Sequence, residues 1–172
     1  AEMHAQAVRA LQIEAELRAA LKTGGLTVFY QPIVDLDTRL AVGFEALVRW
    51  PHPTLGLLPP AEFIPLAETL DLIHDIGMTV LAAVCADLRD WAHKLPESAP
   101  LRVSVNLSAR QLTRPQLAEE LLATIDASGL ARGAIRFEVT ESVLARQDGP
   151  AIDTLHALRT AGIDVLIDDF GT

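Results

Sequence analysis

The chain is poor in cysteine: Cys85 is the only one among 172 residues, so no disulfide can form within the chain. Cys85 follows Val84 in an apolar, helix-like pattern. We therefore expect a buried, inert thiol rather than a reactive one. The five histidines show no ligand spacing, which argues against a zinc site. This cysteine usage predicts a protein of a reducing compartment, the cytoplasm.

Long apolar runs are also absent. No stretch approaches the roughly 20 residues that a membrane-spanning helix needs, and the N-terminus lacks the layout of a signal peptide. We expect no membrane contact from this segment, although a longer parent protein could be membrane-anchored. The sequence opens with Ala-Glu-Met, which indicates a piece cut from a larger protein.

Basic residues are few, with 14 Lys and Arg against 23 Asp and Glu and a net charge of −9. Such an acidic chain without a basic run is unsuited to gripping long nucleic acids through their phosphates. A small anionic ligand is still possible if bound metal ions reverse the local charge. Aromatic residues make up only 5%, so aliphatic side chains must fill the core of what we expect to be one domain.

The first 60 residues predict a helix followed by a pair of strands. The pattern predicts a helix over residues 3–23, ended by Gly24-Gly25. Strands are predicted over 26–36 and 40–50, and their short connection makes them antiparallel. A proline-rich loop is predicted from Pro51 to Pro60.

From residue 61 onward, helices and strands alternate. Alternation with short loops predicts parallel strands joined by crossover helices, hence an α/β fold. The predicted helices are 61–69, 73–93, 115–128 and 151–161, and the predicted strands are 101–107, 135–140 and 165–168.

The strand around residue 45 has a polar face and an apolar face. Because side chains alternate, Glu45, Leu47 and Arg49 share one face. Asn106 and Glu138 obey the same parity in their own strands, each flanked by apolar residues. A polar inner face with an apolar outer face predicts a barrel covered by helices, with its chemistry at the carboxyl ends of the strands.

Oxygen-bearing side chains recur near the ends of four predicted strands. Carboxylates cannot share one small pocket unless cations neutralise them, and oxygen ligands select magnesium, manganese or calcium. The sequence therefore predicts a hard-cation site. Its candidate ligands are Glu45, Asn106, Glu138, Asp168 and Asp169.

Four of the five candidate ligands also have a simpler interpretation. Glu45 could be an edge-strand charge facing water. Asn106 alone would be a turn or cap residue, with Ser108 as the N-cap of the next helix. Asp168 and Asp169 could form a helix-entry cap.

For three further polar residues, the sequence allows two alternative roles. Glu141 lies three residues after Glu138, on the opposite face if the strand continues, and either serves the loop above the strand or is a solvated surface residue. Gln31 either ends a strand ladder or presents its amide to a nucleobase. Arg49 suits a phosphate, and its alternative is an ion pair with a nearby carboxylate.

Several ungapped motifs in order resemble the EAL domain family, the cyclic di-GMP phosphodiesterases of bacterial signalling. The resemblance runs from about Leu11 to Thr172. The first helix resembles the linker between a GGDEF and an EAL domain, which gives a linker at 1–23 and an EAL domain at 24–172. The matching segments are FYQPIVDL, Glu45-Ala46-Leu47 with Val48-Arg49-Trp50, AEFIPLAE, SVNLSARQL, FEVTESVL and IDDFGT.

The resemblance implies a TIM-like (β/α) barrel with an antiparallel first strand, and hydrolysis of cyclic di-GMP to linear pGpG. Two Mg²⁺ or Mn²⁺ ions would be held by the five ligands, and Ca²⁺ would inhibit. Glu45 would be catalytic as well as a ligand. Glu141 would be catalytic by anchoring the loop that begins at Asp168. Gln31, Leu47 and Arg49 would bind the substrate, and the expected partners are a GGDEF domain and a second copy in a homodimer.

The chain departs from the family pattern in its length, because a full barrel takes about 250 residues. We expect the C-terminal part of the barrel, with a lysine, a glutamate and a glutamine, to be absent from this sequence. The alternative function is a catalytically inactive cyclic di-GMP receptor. A weaker third possibility is a structural fragment without activity.

Overall fold

The computed structural model describes residues 2–94, 102–144 and 149–168. The helices and strands predicted from the sequence are present, with small shifts at their ends. In chain order they are α1 (Glu2–Thr23), β1 (Thr27–Val34), β2 (Ala41–His52), β3 (Gly56–Leu58), α2 (Pro60–Thr69), α3 (Ile73–Lys94), β4 (Val103–Asn106), α4 (Ala109–Leu112), α5 (Leu117–Ser128), a 3₁₀ turn (Arg132–Ala134), β5 (Ile135–Thr140), α6 (Glu141–Leu144), α7 (Pro150–Thr160) and β6 (Asp164–Asp168).

The strands form one mixed sheet in the order β1-β2-β4-β5-β6, with β3 paired to β2. β1 and β2 are antiparallel. β2, β4, β5 and β6 run parallel to one another. The predicted α/β class and the antiparallel first strand are confirmed, and the sheet is consistent with part of a TIM-like barrel.

The proline-rich loop predicted from Pro51 to Pro60 is wrong in one respect. β2 continues to His52, and β3 folds back on it in antiparallel register, with Trp50 opposite Leu58. Gly56 makes this return possible because its φ of 77° lies in the left-handed region that side chains disfavour. The short strand β3 was not predicted because proline residues in a sequence normally indicate a loop.

Helices cover one face of the sheet and build the core there. Val105 of β4 and Phe137 of β5 are buried in it, together with Leu81 and Leu88 of α3 and Leu121 of α5. Burial of this apolar surface is the main stabilising contribution to such a fold. We call this helix-covered side the outer face and the opposite side the inner face.

The N-terminal helix packs onto the domain near the end of β2. Leu17 of α1 is fully buried. The Nε2 atom of His52 donates to Glu16 Oε2 at 2.8 Å, since the His52 Nδ1 atom accepts from the Thr54 and Leu55 amides. The boundary at residue 24 between linker and domain stays a prediction. No helix within the described residues combines the length and apolar character needed to cross a bilayer.

Candidate active site

The register of the sheet aligns polar side chains in a row across the inner face. Gln31 lies opposite Glu45, and Glu45 lies opposite Ser104. Ser104 in turn lies opposite Arg136, and Arg136 opposite Asp164. Directly opposed residues of neighbouring strands point to the same side of a sheet, so these side chains form one polar row, which we call the lower row.

Nearer the carboxyl ends of the strands lie the other predicted ligands. Asn106 of β4 is opposite Glu138 of β5. Thr140, the last residue of β5, is opposite Asp168, the last residue of β6. The structure thus places Glu45, Asn106 and Glu138 on one face, as their strand parity predicts, and Asp168 lies on the same face.

Glu45 and Asn106 touch directly. The Nδ2 atom of Asn106 donates to Glu45 Oε1 at 2.9 Å, so these two side chains from β2 and β4 are held together. Glu45 is therefore not an isolated edge charge. Asn106 is also not a helix cap, because Ser108 takes that role for α4.

Ser108 and Gln111 fix the position where the chain leaves β4. The Ser108 Oγ accepts from the Gln111 amide at 3.2 Å, and Gln111 Oε1 accepts from the Ser108 amide at 3.0 Å. This capping box satisfies two amides at the start of the helix. Gly77 of α3 leaves space for the Gln111 side chain, since a Cβ there would lie 2.2 Å from Gln111 Nε2.

Glu138 lies in an electrostatically unfavourable position. Burial raises the pKa of its carboxyl above the ordinary value, and the charges of Glu45 and Asp168 raise it further. Ser104 and Arg136 offset part of this rise in the pKa of Glu138, although Ser104 Oγ makes no hydrogen bond of good geometry within the described residues. The ionised carboxylates thus repel one another across the site.

The donor set fits a hard divalent cation in its chemistry. All its side chains offer oxygen, and a cation would relieve the repulsion around Glu138. The described residues contain no group of three Asp, Glu, His or Cys side chains close enough to hold a metal ion. The fifth predicted ligand, Asp169, lies outside the described residues together with residues 170–172.

The predicted substrate-binding residues lie on the same inner face. Leu47 and Arg49 are half-buried on β2, and Gln31 is exposed on β1. The Arg49 guanidinium lies 5.7 Å from the centre of the Phe29 ring, and its Nη1 donates to the Val48 carbonyl at 2.9 Å. Stacking on Phe29 holds the cation on the inner face near the predicted metal ligands.

Glu141 does not continue the strand. β5 ends at Thr140, and Glu141 is the exposed first residue of the short helix α6. The expectation that Glu138 and Glu141 lie on opposite faces of one strand is therefore wrong. Its proposed loop-anchoring role concerns residues beyond Asp168, which the structure does not describe.

Two inner-face residues were not singled out from the sequence. Ser104 and Arg136 belong to the lower row, beside Glu45 and below Glu138. Each is separated by two positions from a predicted ligand in its own strand. The parity rule that identified Asn106 and Glu138 would also have identified these two residues.

Comparison with protein families identifies the domain. A family model described as the EAL domain matches residues 14–172. The chain belongs to the EAL domain family. The predicted resemblance is thereby confirmed, and the inner-face residues lie within the matched part of this EAL domain.

Two curated bacterial relatives align with nearly the whole of this chain. The cyclic di-GMP phosphodiesterase NbdA of Pseudomonas aeruginosa is 42% identical over 167 residues, covering 97% of this chain and 21% of that protein. An uncharacterized signaling protein of Caulobacter vibrioides is 40% identical over 157 residues, covering 91% of this chain and 19% of that protein. The chain spans about a fifth of the length of these relatives.

A solved structure shares the fold closely. The PaMucR phosphodiesterase in a c-di-GMP complex superposes with a TM-score of 0.86 at 37% identity, covering 94% of this chain and 64% of that one. The fold of the described residues is therefore shared with a phosphodiesterase that was solved with c-di-GMP.

Proposed function

We propose that the protein is a divalent-metal-dependent phosphodiesterase that hydrolyses cyclic di-GMP to linear pGpG. The observation that carries this proposal is the convergence of Glu45, Asn106, Glu138 and Asp168 on the inner face. Three carboxylates and an amide from four parallel strands line this face toward the carboxyl ends of the strands, where parallel barrels place their active sites. Gln31 and Asn106 are exposed on this side of the sheet.

Two relatives support the substrate and the reaction. NbdA is named a cyclic di-GMP phosphodiesterase, and the PaMucR phosphodiesterase was solved with c-di-GMP. Both align over more than nine-tenths of this chain. A substrate carrying two phosphates also suits an acidic site whose net charge is reversed by divalent ions.

The chain's residues divide into two roles in this proposal. Mg²⁺ or Mn²⁺ would activate a water and neutralise the phosphoryl oxygens. The Arg49 guanidinium, on its Phe29 ring, would contact the phosphate, and Leu47 and Gln31 would contact the rest of the nucleotide. Glu141 would support the segment that follows Asp168. The ions would be held by Glu45, Asn106, Glu138, Asp168 and Asp169.

For the longer protein we infer a regulated signalling enzyme of the cytoplasm. α1 would connect the EAL domain to a preceding GGDEF domain, and two copies would form a homodimer. The support is the family membership and the buried contact of Leu17, which attaches α1 to the domain.

A turnover assay tests the proposal. The purified protein is incubated with cyclic di-GMP and Mg²⁺ or Mn²⁺, and pGpG is followed by chromatography. We expect product with the unchanged protein and none with Glu45→Ala. Glu119→Ala removes an exposed carboxylate from α5 and serves as the matched control.

Cyclic di-GMP binding without product would overturn hydrolysis and leave the inactive receptor. Full activity of Glu45→Ala would show that the assigned metal site is wrong.

A further inference from the structure

Arg136 lies on the inner face in the middle of the site. It belongs to β5, two residues before Glu138 on the same side of the strand, and its neighbours in the lower row are Ser104 and Asp164. Its side chain is 19% exposed. A guanidinium is thus largely buried directly below the predicted metal ligands.

The side chain of Arg136 is held by few partners. Its Nε atom is buried and makes no hydrogen bond within the described residues, and the same is true of Ser104 Oγ beside it. The nearest carboxylate oxygen is Asp164 Oδ2, at 3.8 Å from Nε, and Asp164 is 63% exposed. Burying a guanidinium with so few hydrogen bonds is costly, so another favourable interaction must hold Arg136 in place.

The carboxylates on the same face are the groups that can supply that interaction. The Cα atoms of residues two apart on one strand face, such as Arg136 and Glu138, lie about 7 Å apart. The Cα atom of Glu45 lies two strand spacings from that of Arg136, about 10 Å away. These distances are within a Debye length at physiological salt, so the attraction to Glu138 and Glu45 persists. Arg49, the other cation placed on this face, is turned toward the Phe29 ring.

We propose that Arg136 is a positioning residue that acts through Glu45 and Glu138 and substitutes for part of the metal charge when the site holds no ion. The guanidinium keeps the two carboxylates close together in the metal-free protein, so the ligands stay arranged for binding. The same positive charge repels an incoming divalent ion and weakens its affinity. This inference rests on the metal-dependent function proposed above.

Metal titration of the protein separates this role from a merely structural one. Mn²⁺ binding is measured by calorimetry after EDTA treatment, and the thermal midpoint is measured with EDTA and with saturating Mn²⁺. We expect Arg136→Met to bind Mn²⁺ about three- to tenfold more tightly, because the repulsion is gone. Its metal-free form should melt earlier, so the rise in midpoint caused by Mn²⁺ should exceed that of the unchanged protein.

Two variants serve as controls. Arg136→Lys keeps the charge and should bind Mn²⁺ within about twofold of the unchanged protein. Arg89→Met removes an exposed cation from α3 and should leave Mn²⁺ affinity unchanged. If Arg136→Met folds only with Mn²⁺, the proposal is supported.

Other results overturn it. Unchanged or weaker Mn²⁺ binding by folded Arg136→Met would show that the guanidinium does not oppose the metal. Failure to fold even with saturating Mn²⁺ would show a structural role alone. If the unchanged protein binds no Mn²⁺, the metal-dependent function itself is wrong, which is a different outcome from failure of the Arg136 proposal.

Discussion

The two faces of the central sheet are built from the same strands but have different roles: the outer face stabilises the fold, and the inner face carries the candidate active site. In β5, Phe137 is completely buried among the helices, whereas its neighbour Glu138 points to the open inner face. In β4, buried Val105 likewise precedes exposed Asn106. Of two adjacent residues, one therefore contributes to stability and the other to the candidate site. Substituting the first should lower stability, and substituting the second should lower activity.

The clustered negative charges of the inner face lower the stability of the fold. Apolar side chains on the outer face pack against one another. On the inner face, the carboxylates of Glu45 and Asp168 repel that of Glu138 and raise its pKa. Functional sites tolerate such conflicts because the rest of the fold is stable enough. The outer face supplies that stability.

The largest expected effect comes from breaking the outer face. Phe137→Ala removes a ring that is 0% exposed, and a cavity of this kind costs about 3–5 kcal/mol. A domain's total stability is about 5–15 kcal/mol. We expect a large drop in the urea midpoint, measured by circular dichroism. Phe29→Ala, an exposed ring on the inner face, is the matched control and should lower the midpoint far less.

The neighbouring substitution on the inner face should do the opposite. Glu138→Gln removes a carboxylate whose pKa is raised in the folded protein, so the charged form lowers stability above that pKa and the penalty disappears at low pH. We expect an equal or higher thermal midpoint at pH 7 in EDTA, together with a loss of turnover of about 100-fold or more. A lower midpoint or retained turnover would contradict the separation of the two faces.

The sequence predicted this separation because alternation is a local property. Glu45, Asn106 and Glu138 each interrupt an apolar alternation, and parallel strands then bring them together without further information. Ser104 and Arg136 obey the same rule, which places them on the same face, and the register of the sheet shows in addition that they lie side by side below the ligands.

Other features needed the three-dimensional structure. β3 is three residues long, and its pairing with β2 depends on the left-handed conformation of Gly56, against a background of prolines. α4 spans four residues, too few to show a helical period. Glu141 directly follows the predicted strand 135–140, and the four residues of α6 are too few to show from the sequence that a helix begins there.

A smaller effect is expected where the two faces meet at the end of β4. Gly77→Ala improves helix propensity by about 1 kcal/mol, but the added Cβ would displace buried Gln111 from its capping box. Losing the cap and leaving its amide unpaired costs more than the gain, so we expect a net loss of about 1 kcal/mol in urea unfolding. In the Gln111→Ala background the same change should stabilise; equal effects in both backgrounds would rule out this contact.

The smallest effect concerns an acid at the opposite end of the sheet from Glu138. The Thr38 amide and hydroxyl, each 2.8 Å from Asp35 Oδ1, hold the pKa of Asp35 below its ordinary value. A lowered folded pKa stabilises the fold above the unfolded pKa of 3.8 and is lost as the pH falls through the folded value. Relative to the unchanged protein, Asp35→Ala should therefore lower the thermal midpoint at pH 7 and progressively less toward pH 2. Asp35→Asn, which keeps an acceptor, should lose less at pH 7, and parallel profiles for all three proteins would refute this assignment.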